Sequence, residues 1–538
     1  MPTLSQPVAN RQRRRAPPEL GGVAEFDRAH WWWLAGAVLL AAWLRLTALG
    51  EWSFWVDEAH TWRDATMPLR GEYGFLAEDR ALYPLTFLAL RGLLAVGLVT
   101  GDEYSLRLPF ALLGVLSIPV LALSGRRFVG PAAAVLAAWF CAVNPWHIFW
   151  SQNARGYVLV CLFAPIAANR AAAWAVSERN RDLFLCLGAI GIGSLCHPTA
   201  VLQALGLLTF LWLRRVSDLR AKTLAWIAFV VLAVTWLLPI VLAGWSPFQD
   251  FQKSKSDPSI VHFVQTTAYY YRPVLLLAAA VGLLRRKSAG DRGATLLLGC
   301  LCIVPFFLLL VVGGQLVKVT ARYSICVFPI LLWLAAYLCT EIARGLVANV
   351  RAVPVGIRSL AALLPALVFL DFTAGTWSYF GTQHGDRGQW RQACEAAKQR
   401  AGSRPLHVLT IGDPIVFYYL QPDHYADAAG GSDSSVQVHA LTRWDLDGQR
   451  ESPDLDAAKA IVLHPPGGRN HLLWHQKLAK GRNALFAVIV TLPELLEKDD
   501  GELWPTLQRE YDLILHLPCF VGPKDESVYV FLPREEGS

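Results

Sequence analysis

Residues 52–59 read Trp-Ser-Phe-Trp-Val-Asp-Glu-Ala, and they directly follow a hydrophobic segment, 31–49, that is long enough to cross a lipid bilayer. The adjacent acids Asp57 and Glu58 therefore lie at the predicted membrane boundary, among tryptophans of the kind that anchor at that depth. Ionisable groups there are costly to desolvate, which favours a functional site. The alternative is the solvated start of a loop beside an aromatic belt, and the pair alone does not choose between the two.

The composition indicates a polytopic membrane protein. The 538 residues are 54% hydrophobic and 17% charged, whereas soluble domains carry about 25% charged residues. The net charge of +7 does not imply nucleic-acid binding, because the arginines cluster in short loops between apolar segments, as cytoplasmic anchoring predicts. The basic segment 1–30 is predicted to be a cytoplasmic tail, and no cleavable signal is expected, because the first hydrophobic segment lacks a small-residue cleavage site.

The positions of the basic loops predict which apolar segments cross the membrane. If every apolar segment up to residue 376 crossed, with the N-terminus inside, nearly all arginine-rich loops would face outward, against the positive-inside bias. The conflict disappears if the proline-interrupted segment 82–99 lies in the interface without crossing. About eleven crossing helices of ordinary length then remain. The polar stretches predicted to lie outside include 50–105, 151–156, 314–322 and the whole C-terminal region 377–538.

The sequence pattern of 377–538 predicts an α/β domain that follows a transmembrane domain, 31–376. A helical pattern covers 388–400, and Gly- and Pro-rich loops separate the strand-like runs. These runs are 406–411, 436–441, 460–464, 485–491, 513–517 and 528–532. Cys394 and Cys519 would be able to pair in an oxidising compartment, but the sequence does not show whether they do.

The outer polar stretches are expected to converge, because they share one membrane surface. The second stretch runs on to Tyr157, and the pair His197-Pro198 is a further outer patch. Together these patches contain Asp57, Glu58, Arg63, Asn153, Arg155, Tyr157, His197, Lys318 and Arg322. A carboxylate can act as a general base toward a hydroxyl, and arginine forks match phosphate oxygens. The set therefore favours displacement of a phosphate leaving group. Plainer interpretations stay open: interfacial cations for the arginines, packing for Tyr157, a helix end for His197 and a helix cap for Glu58.

The order and spacing of several motifs resemble those of GT-C glycosyltransferases, specifically the bacterial relatives of protein O-mannosyltransferases and of the aminoarabinose transferase of lipid A, often called glycosyltransferase family 39. The motifs are Trp55–Ala59, Leu82–Leu85, Gly101–Pro109, Ser151–Tyr157, His197–Thr199 and Ala321–Tyr323. The resemblance implies a polytopic α-helical GT-C fold with juxtamembrane helices. It also implies an inverting transfer of a sugar from a polyprenyl phosphate in the outer leaflet.

The resemblance also implies roles for individual residues. Asp57, with Glu58 beside it, would assist attack of the acceptor on the anomeric carbon, and Arg155 and Arg322 would contact the phosphate. Lys318 and Arg63 are further phosphate-binding candidates, and Tyr157, His197 and Asn153 are substrate-binding candidates. The family commonly has an acid where this chain has Asn153, and an amide is a poorer ligand than a carboxylate for a hard divalent cation. The sequence therefore leaves the cofactor unknown, with a divalent metal ion at Asp57 as one possibility.

We therefore expect a multi-pass enzyme of the bacterial inner membrane, with a cytoplasmic N-terminus and an extracytoplasmic C-terminal domain. Its expected partners are a polyprenyl phosphate sugar donor, membrane lipid and an acceptor (protein, lipid or glycan) that the sequence does not identify, with no nucleic acid. The alternatives are a lipid-linked glycan transporter or flippase and a catalytically silent membrane scaffold. A transporter needs charged residues in mid-span, for which the sequence offers mainly Arg45 and Asp371, both near span ends.

Overall fold

The fold was analysed in a computed structural model, which describes residues 25–70, 74–77, 79–214, 259–288, 292–315, 319–348, 355–411, 413–422, 435–440, 468–493, 503–522 and 524–534. The described α-helices before residue 382 are α1 Arg28–Leu46, α2 Val56–Thr66, α3 Leu85–Ala95, α4 Glu103–Val129, α5 Pro131–Val143, α6 Pro145–Ser151, α7 Tyr157–Ser177, α8 Asn180–Cys196, α9 Val201–Arg214, α10 Ile260–Tyr271, α11 Pro273–Ser288, α12 Arg292–Gln315, α13 Phe328–Ala348 and α14 Val355–Gly381.

Several of the described helices suit a bilayer. Four are long and apolar enough to cross, and up to six spans result if each bent pair, α5 with α6 (67°) and α10 with α11 (89°), counts as one. The total of eleven stays a prediction, in part because 215–258 lie outside the described residues. Helix α3 has 11 residues and is therefore only about 16 Å long. That length is too short to cross the hydrocarbon core, as the loop charges predict for 82–99.

Arg45 supports the break between α5 and α6. Proline at position 145 cannot continue the hydrogen bonding of α5, so carbonyl groups at the end of that helix need other donors. The fully buried guanidinium of Arg45 donates to the carbonyl oxygens of Cys141 and Ala142, both at 3.0 Å, and its Nη2 lies 2.8 Å from His147 Nδ1. This structural use of the charge differs from the path-lining role that a transporter would require.

The C-terminal region contains a five-stranded mixed sheet with helices packed on it. The elements are α15 Trp390–Ala401, β1 Leu406–Thr410, α16 Asp413–Leu420, β2 Val436–Ala440, α17 Gly468–Gly481, β3 Leu485–Val490, α18 Leu503–Glu510, β4 Tyr511–Leu517, β5 Phe520–Val521, β6 Lys524–Asp525 and β7 Val528–Pro533. The strand order is β2-β1-β3-β7-β4, with β1 parallel to β2 and β3, and β7 antiparallel to β3 and β4; β5 and β6 form a separate hairpin.

Five of the six predicted strand runs are strands in this sheet, and the sixth, 460–464, lies outside the described residues. The predicted helical pattern at 388–400 coincides with α15. Cys394 and Cys519 are both buried and free, so they do not form the disulfide that the sequence left open.

The buried carboxylate of Glu58 joins the transmembrane and C-terminal parts of the chain. Arg107, at the start of α4, reaches it with two parallel hydrogen bonds of 2.8 and 2.9 Å, and Arg387 donates to it at 3.2 Å. The backbone N–H groups of Trp55 and Ala154 also donate to it, each at 3.0 Å. A single side chain therefore positions the first turn of α2, the start of α4, the turn after α6 and the segment that enters the C-terminal sheet.

The two arginines complete this network with backbone oxygens. Arg107 also donates to the carbonyl groups of Leu49, Trp52 and Ser53 at 2.8–3.0 Å. Arg387 also donates to the carbonyl group of Gln152 at 2.7 Å and to the hydroxyl group of Tyr379 at 3.1 Å. Buried charges are stable only when their hydrogen bonds are satisfied, so this network holds one geometry.

Glu58→Gln is expected to lower the thermal unfolding midpoint of the detergent-solubilised protein markedly. Burial alone would raise the pKa of Glu58, but Arg107 and Arg387 lower it to about 2, so the group is charged and its neutralisation leaves two buried guanidinium groups unpaired. Breaking a buried pair of this kind costs about 3 kcal/mol or more. The matched control is Glu341→Gln, whose pair with Arg344 is solvent-exposed and is expected to contribute little. Equal midpoints for the two variants would contradict the assignment.

Candidate active site

Asp57 lies between two arginines that come from distant parts of the chain. Its Oδ2 is 3.2 Å from Arg322 Nη1 and 3.9 Å from Arg155 Nη2. Arg155 belongs to the turn between α6 and α7, and Arg322 to a 3-10 helix, Ala321–Val327. The Asp57 side chain is 23% exposed, so its carboxylate lies at an accessible crevice. The first loop, the second turn and the later loop therefore meet at one place.

The two arginines are oriented by their surroundings without using all their donors. The Arg322 guanidinium lies over the rings of Trp55 and Tyr323, 5.4 and 5.3 Å from their centroids, within the range of cation–π attraction. Arg155 donates from Nη1 to Thr61 Oγ1 at 3.2 Å. Neither Nε has a hydrogen-bond partner among the described residues. Such partly committed guanidinium groups suit an incoming anion.

Asp57 is ionised at neutral pH. Burial alone would raise the pKa of its carboxyl group, but the positive charges of Arg155 and Arg322 hold that pKa well below its usual value. Burial lowers the pKa of His60, one turn further along α2, to about 3, and Arg80 and Arg63 add to this effect. The imidazole is therefore neutral at neutral pH, and the fixed charges nearest Asp57 are mainly cationic.

Glu58 and Arg63 take positions different from that of Asp57. The carboxylate of Glu58 is completely buried in the network with Arg107 and Arg387, away from the crevice. Arg63 donates from Nε and Nη2 to Asp64 Oδ1 at 3.1 and 3.0 Å. Both residues therefore have structural partners. Lys318, the remaining phosphate-binding candidate, lies outside the described residues.

The rings of Tyr157 and His197 pack against each other, tilted by 35°, in the wall of the site. The Tyr157 ring lies 4.0 Å from the Trp150 centroid and 3.9 Å from the His197 centroid, and both Tyr157 and His197 are buried. Gly156 permits this contact, because a Cβ atom there would lie 2.2 Å from the carbonyl oxygen of Cys196. Asn153 is fully buried, and neither atom of its side-chain amide has a hydrogen-bond partner among the described residues.

The C-terminal domain contributes two charged residues that the sequence analysis missed. The β5–β6 hairpin and the residues after it bring Lys524 and Glu526 to the crevice, where Trp55 Nε1 donates to Glu526 Oε2 at 3.1 Å. Burial lowers the pKa of Lys524, although the ammonium group interacts with the carboxylates of Glu526 and Asp57. In the sequence these residues form an ordinary charged turn between two strand runs, and no local signal links them to the membrane.

The described residues around Asp57 do not fit a divalent metal ion. Two guanidinium groups and the ammonium group of Lys524 already oppose the Asp57 charge, and position 153 offers an amide rather than a carboxylate. Hard divalent cations need several oxygen ligands that carry net negative charge. Within the described ranges, the groups of three or more metal-ligating side chains do not include Asp57.

Comparisons with known proteins agree with this architecture. The family described as dolichyl-phosphate-mannose-protein mannosyltransferase matches residues 83–242. The chain is similar to the crystal structure of ArnT from Cupriavidus metallidurans bound to undecaprenyl phosphate, with 14% identity, a TM-score of 0.53 and coverage of 94% of this chain and 98% of ArnT. The chain has the GT-C glycosyltransferase fold.

A second solved structure with the same fold comes from an archaeon. The archaeal oligosaccharyltransferase AglB from Archaeoglobus fulgidus, in complex with an inhibitory peptide and a dolichol-phosphate, aligns with 12% identity and a TM-score of 0.53, covering 94% of this chain and 76% of AglB. No curated protein matches the sequence. At identities this low, the structural similarity shows a shared GT-C fold and nothing about activity.

Asp386 is a half-buried acid with a strained backbone, and it interacts electrostatically with Glu526. Its φ is +55°, and the hydroxyl group of Tyr269 donates to its Oδ1 at 3.4 Å. Burial raises the pKa of Asp386 to about 7; Arg387 opposes this shift and the nearby charge of Glu526 adds to it. The folded protein therefore holds a proton on Asp386 at acidic pH values where the unfolded chain has released it.

At pH 8, Asp386→Asn is expected to have a higher thermal unfolding midpoint than the parent protein. The difference between the two midpoints is expected to shrink toward pH 5. Because the folded pKa is the higher one, Asp386 makes the stability of the parent fall as pH rises from about 4 to about 7, and the amide removes this dependence. Asparagine also tolerates positive φ. Thermal unfolding midpoints of both proteins across this pH range test the prediction, and a margin that grows toward acid would refute it.

Proposed function

We propose that this protein transfers a glycosyl group from a polyprenyl phosphate donor to an envelope acceptor on the extracytoplasmic face of the bacterial inner membrane. The observation that carries the proposal is the ionised carboxylate of Asp57 held between Arg155 and Arg322 at an accessible crevice. This arrangement offers a base and an anion-binding pair within a few ångströms of each other. The match of 83–242 to a mannosyltransferase family, and the undecaprenyl phosphate and dolichol-phosphate in the similar structures, support this donor class.

The arginines are proposed to bind the phosphate of the donor. Guanidinium groups form paired, charge-assisted hydrogen bonds with phosphate oxygens, and both arginines keep an uncommitted Nε among the described residues. As the bond between sugar and phosphate breaks, the same groups stabilise the developing charge on the leaving phosphate. Arg63, with its partner Asp64, continues the charged face of α2, and Lys318 belongs to the proposed set by sequence position.

Asp57 is proposed to act as the base. A carboxylate with a strongly lowered pKa is a weak base, but donor binding changes its surroundings. When the phosphate engages Arg155 and Arg322, the aspartate shares its counter-charges with a second anion, so its pKa rises and it accepts a proton more readily. The acceptor oxygen then attacks the anomeric carbon, its proton passes to Asp57, and the phosphate leaves with the bonding electrons. This single displacement inverts the anomeric centre.

Other residues are proposed to shape the site. Glu58 positions the first turn of α2 and so aims its neighbour Asp57. Tyr157 and His197 form an apolar wall for substrate, and Asn153 offers an uncommitted amide. The proximity of Lys524 and Glu526 to the crevice supports the proposal that the C-terminal region 377–538 lies on the same side of the membrane as Asp57, which in the proposed topology is the extracytoplasmic side.

Asp57→Asn is expected to slow glycosyl transfer by about 100-fold or more, the usual contribution of a positioned base. The assay uses purified protein in nanodiscs, a panel of polyprenyl phosphate sugars and an envelope extract as acceptor, and it measures release of polyprenyl phosphate. Asp512→Asn is the matched control, because Asp512 is an exposed partner of Arg534. Parental rates in Asp57→Asn would exclude Asp57 as the base, and a parent protein that releases no polyprenyl phosphate with any donor would overturn the proposed function.

Arg322→Ala is expected to weaken binding of undecaprenyl phosphate about 10- to 100-fold, since hydrogen bonds to charged groups contribute about 1.5–3 kcal/mol. Displacement of a labelled polyprenyl phosphate from nanodisc-embedded protein measures the affinity. Arg534→Ala, which removes an exposed arginine of the C-terminal sheet, is the control for loss of charge. If both variants bind equally well, Arg322 does not contact the phosphate.

A further inference from the structure

Three histidines meet on one face of the C-terminal sheet. His407 lies on β1, His439 on β2 and His475 on α17. In the parallel pairing of β1 with β2, His439 is opposite Leu409. Because side chains two residues apart on a strand share a face, His407 and His439 lie on the same face of the sheet. Spacings of 32 and 36 residues match no familiar ligand motif, so only the fold reveals the cluster.

Helix α17 covers this face and supplies the third imidazole. Leu472 and Ala479 of α17 pack with Leu409 of β1 in one buried cluster. His475 lies three residues after Leu472 and four before Ala479, and so on the helix face that meets the sheet. The three imidazole rings thus lie between α17 and the sheet, beside a buried apolar cluster, at positions where apolar side chains would be expected.

The three rings are close and enclosed. Their centroids are 4.5 Å apart for His407 and His439, 4.6 Å for His439 and His475, and 5.1 Å for His407 and His475. One ligating nitrogen from each ring can be chosen so that all three lie within 4.8 Å of one another. His407 and His475 are each 1% exposed, and His439 is half-buried.

The spacing of the three rings suits metal binding. Imidazole nitrogen is a common ligand of zinc. Zinc–nitrogen bonds of about 2.0–2.1 Å require ligand nitrogens about 3.3 Å apart in a tetrahedral site, which small side-chain rotations reach from the present spacing.

We propose that His407, His439 and His475 bind one divalent transition-metal ion of the zinc class, with water as the fourth ligand. The ion ties β2, the edge strand of the sheet, and α17 to β1. Imidazole ligands favour zinc and its neighbours in the first transition series over magnesium and calcium. The proposal does not rest on the proposed glycosyl transfer, because its readout is bound metal. The competing interpretation is a hydrogen-bonded imidazole stack, in which His407 Nε2 and His475 Nδ1 share a proton across 2.9 Å.

The test measures metal in the full-length protein, purified through a tag free of histidine. The protein is stripped with a chelator, incubated with zinc, gel-filtered and analysed by elemental mass spectrometry, and a parallel sample is loaded with Co²⁺ for visible absorption. The parent is expected to retain one zinc per chain and to show the d–d bands of tetrahedral Co²⁺. His407→Asn and His475→Asn are expected to lose both signals. His516→Asn, which alters an exposed histidine stacked on Tyr529 of β7, is the matched control and is expected to keep them.

Two outcomes would overturn the site: a parent protein that retains no zinc, as the imidazole stack predicts, or cluster variants that retain as much zinc as the parent. The parent measurement is decisive even if a variant fails to fold. A second measurement supports the site if zinc raises the thermal unfolding midpoint of the parent and of His516→Asn but not that of His475→Asn. Equal shifts in all three proteins would place the metal elsewhere and reject the proposal.

Discussion

The buried ion pairs of Glu58 are the constraint on which the site depends. Five hydrogen bonds converge on this carboxylate, from Arg107, Arg387 and the backbone of Trp55 and Ala154. A buried charge has strict geometric demands, because each unmet hydrogen bond is costly in a low-dielectric surrounding. The hydrogen bonds that satisfy Glu58 therefore hold the first loop, the second turn and the entry to the C-terminal sheet together. Because Asp57 precedes Glu58 in α2, these contacts also fix the position of Asp57.

Adjacent acids in one helix have different environments. Successive residues of a helix point about 100° apart, so Glu58 faces the buried network while Asp57 faces the crevice with Arg155 and Arg322. One carboxylate is satisfied by fixed structural donors, and the other is balanced by cations that still have free hydrogen-bonding capacity. This contrast supports a positioning role for Glu58 and a chemical role for Asp57, where the sequence pattern had grouped the two as catalytic candidates.

The C-terminal region contributes residues to the candidate active site. The hairpin near Lys524 and the hydrogen bond from Trp55 to Glu526 bring a domain far along the chain to the crevice beside Asp57. The acceptor would therefore meet groups from both parts of the protein. The histidine cluster lies in the same domain on the face of the sheet covered by α17, and the proposed metal would stiffen the β2 edge of this sheet.

The amino-acid sequence by itself determined the membrane class, most strands of the C-terminal sheet and the grouping of Asp57 with Arg155 and Arg322, and it predicts that segment 82–99 does not cross the membrane. These features follow from local hydropathy, loop charge and strand periodicity, or from motifs held at the same membrane surface. Only the tertiary structure decided that Glu58 is buried between Arg107 and Arg387, that Lys524 and Glu526 reach the crevice, and that three distant histidines meet. The reason is physical: these contacts join residues tens to hundreds of positions apart, and no local pattern in a single sequence encodes which distant partners a buried charge or ring will find.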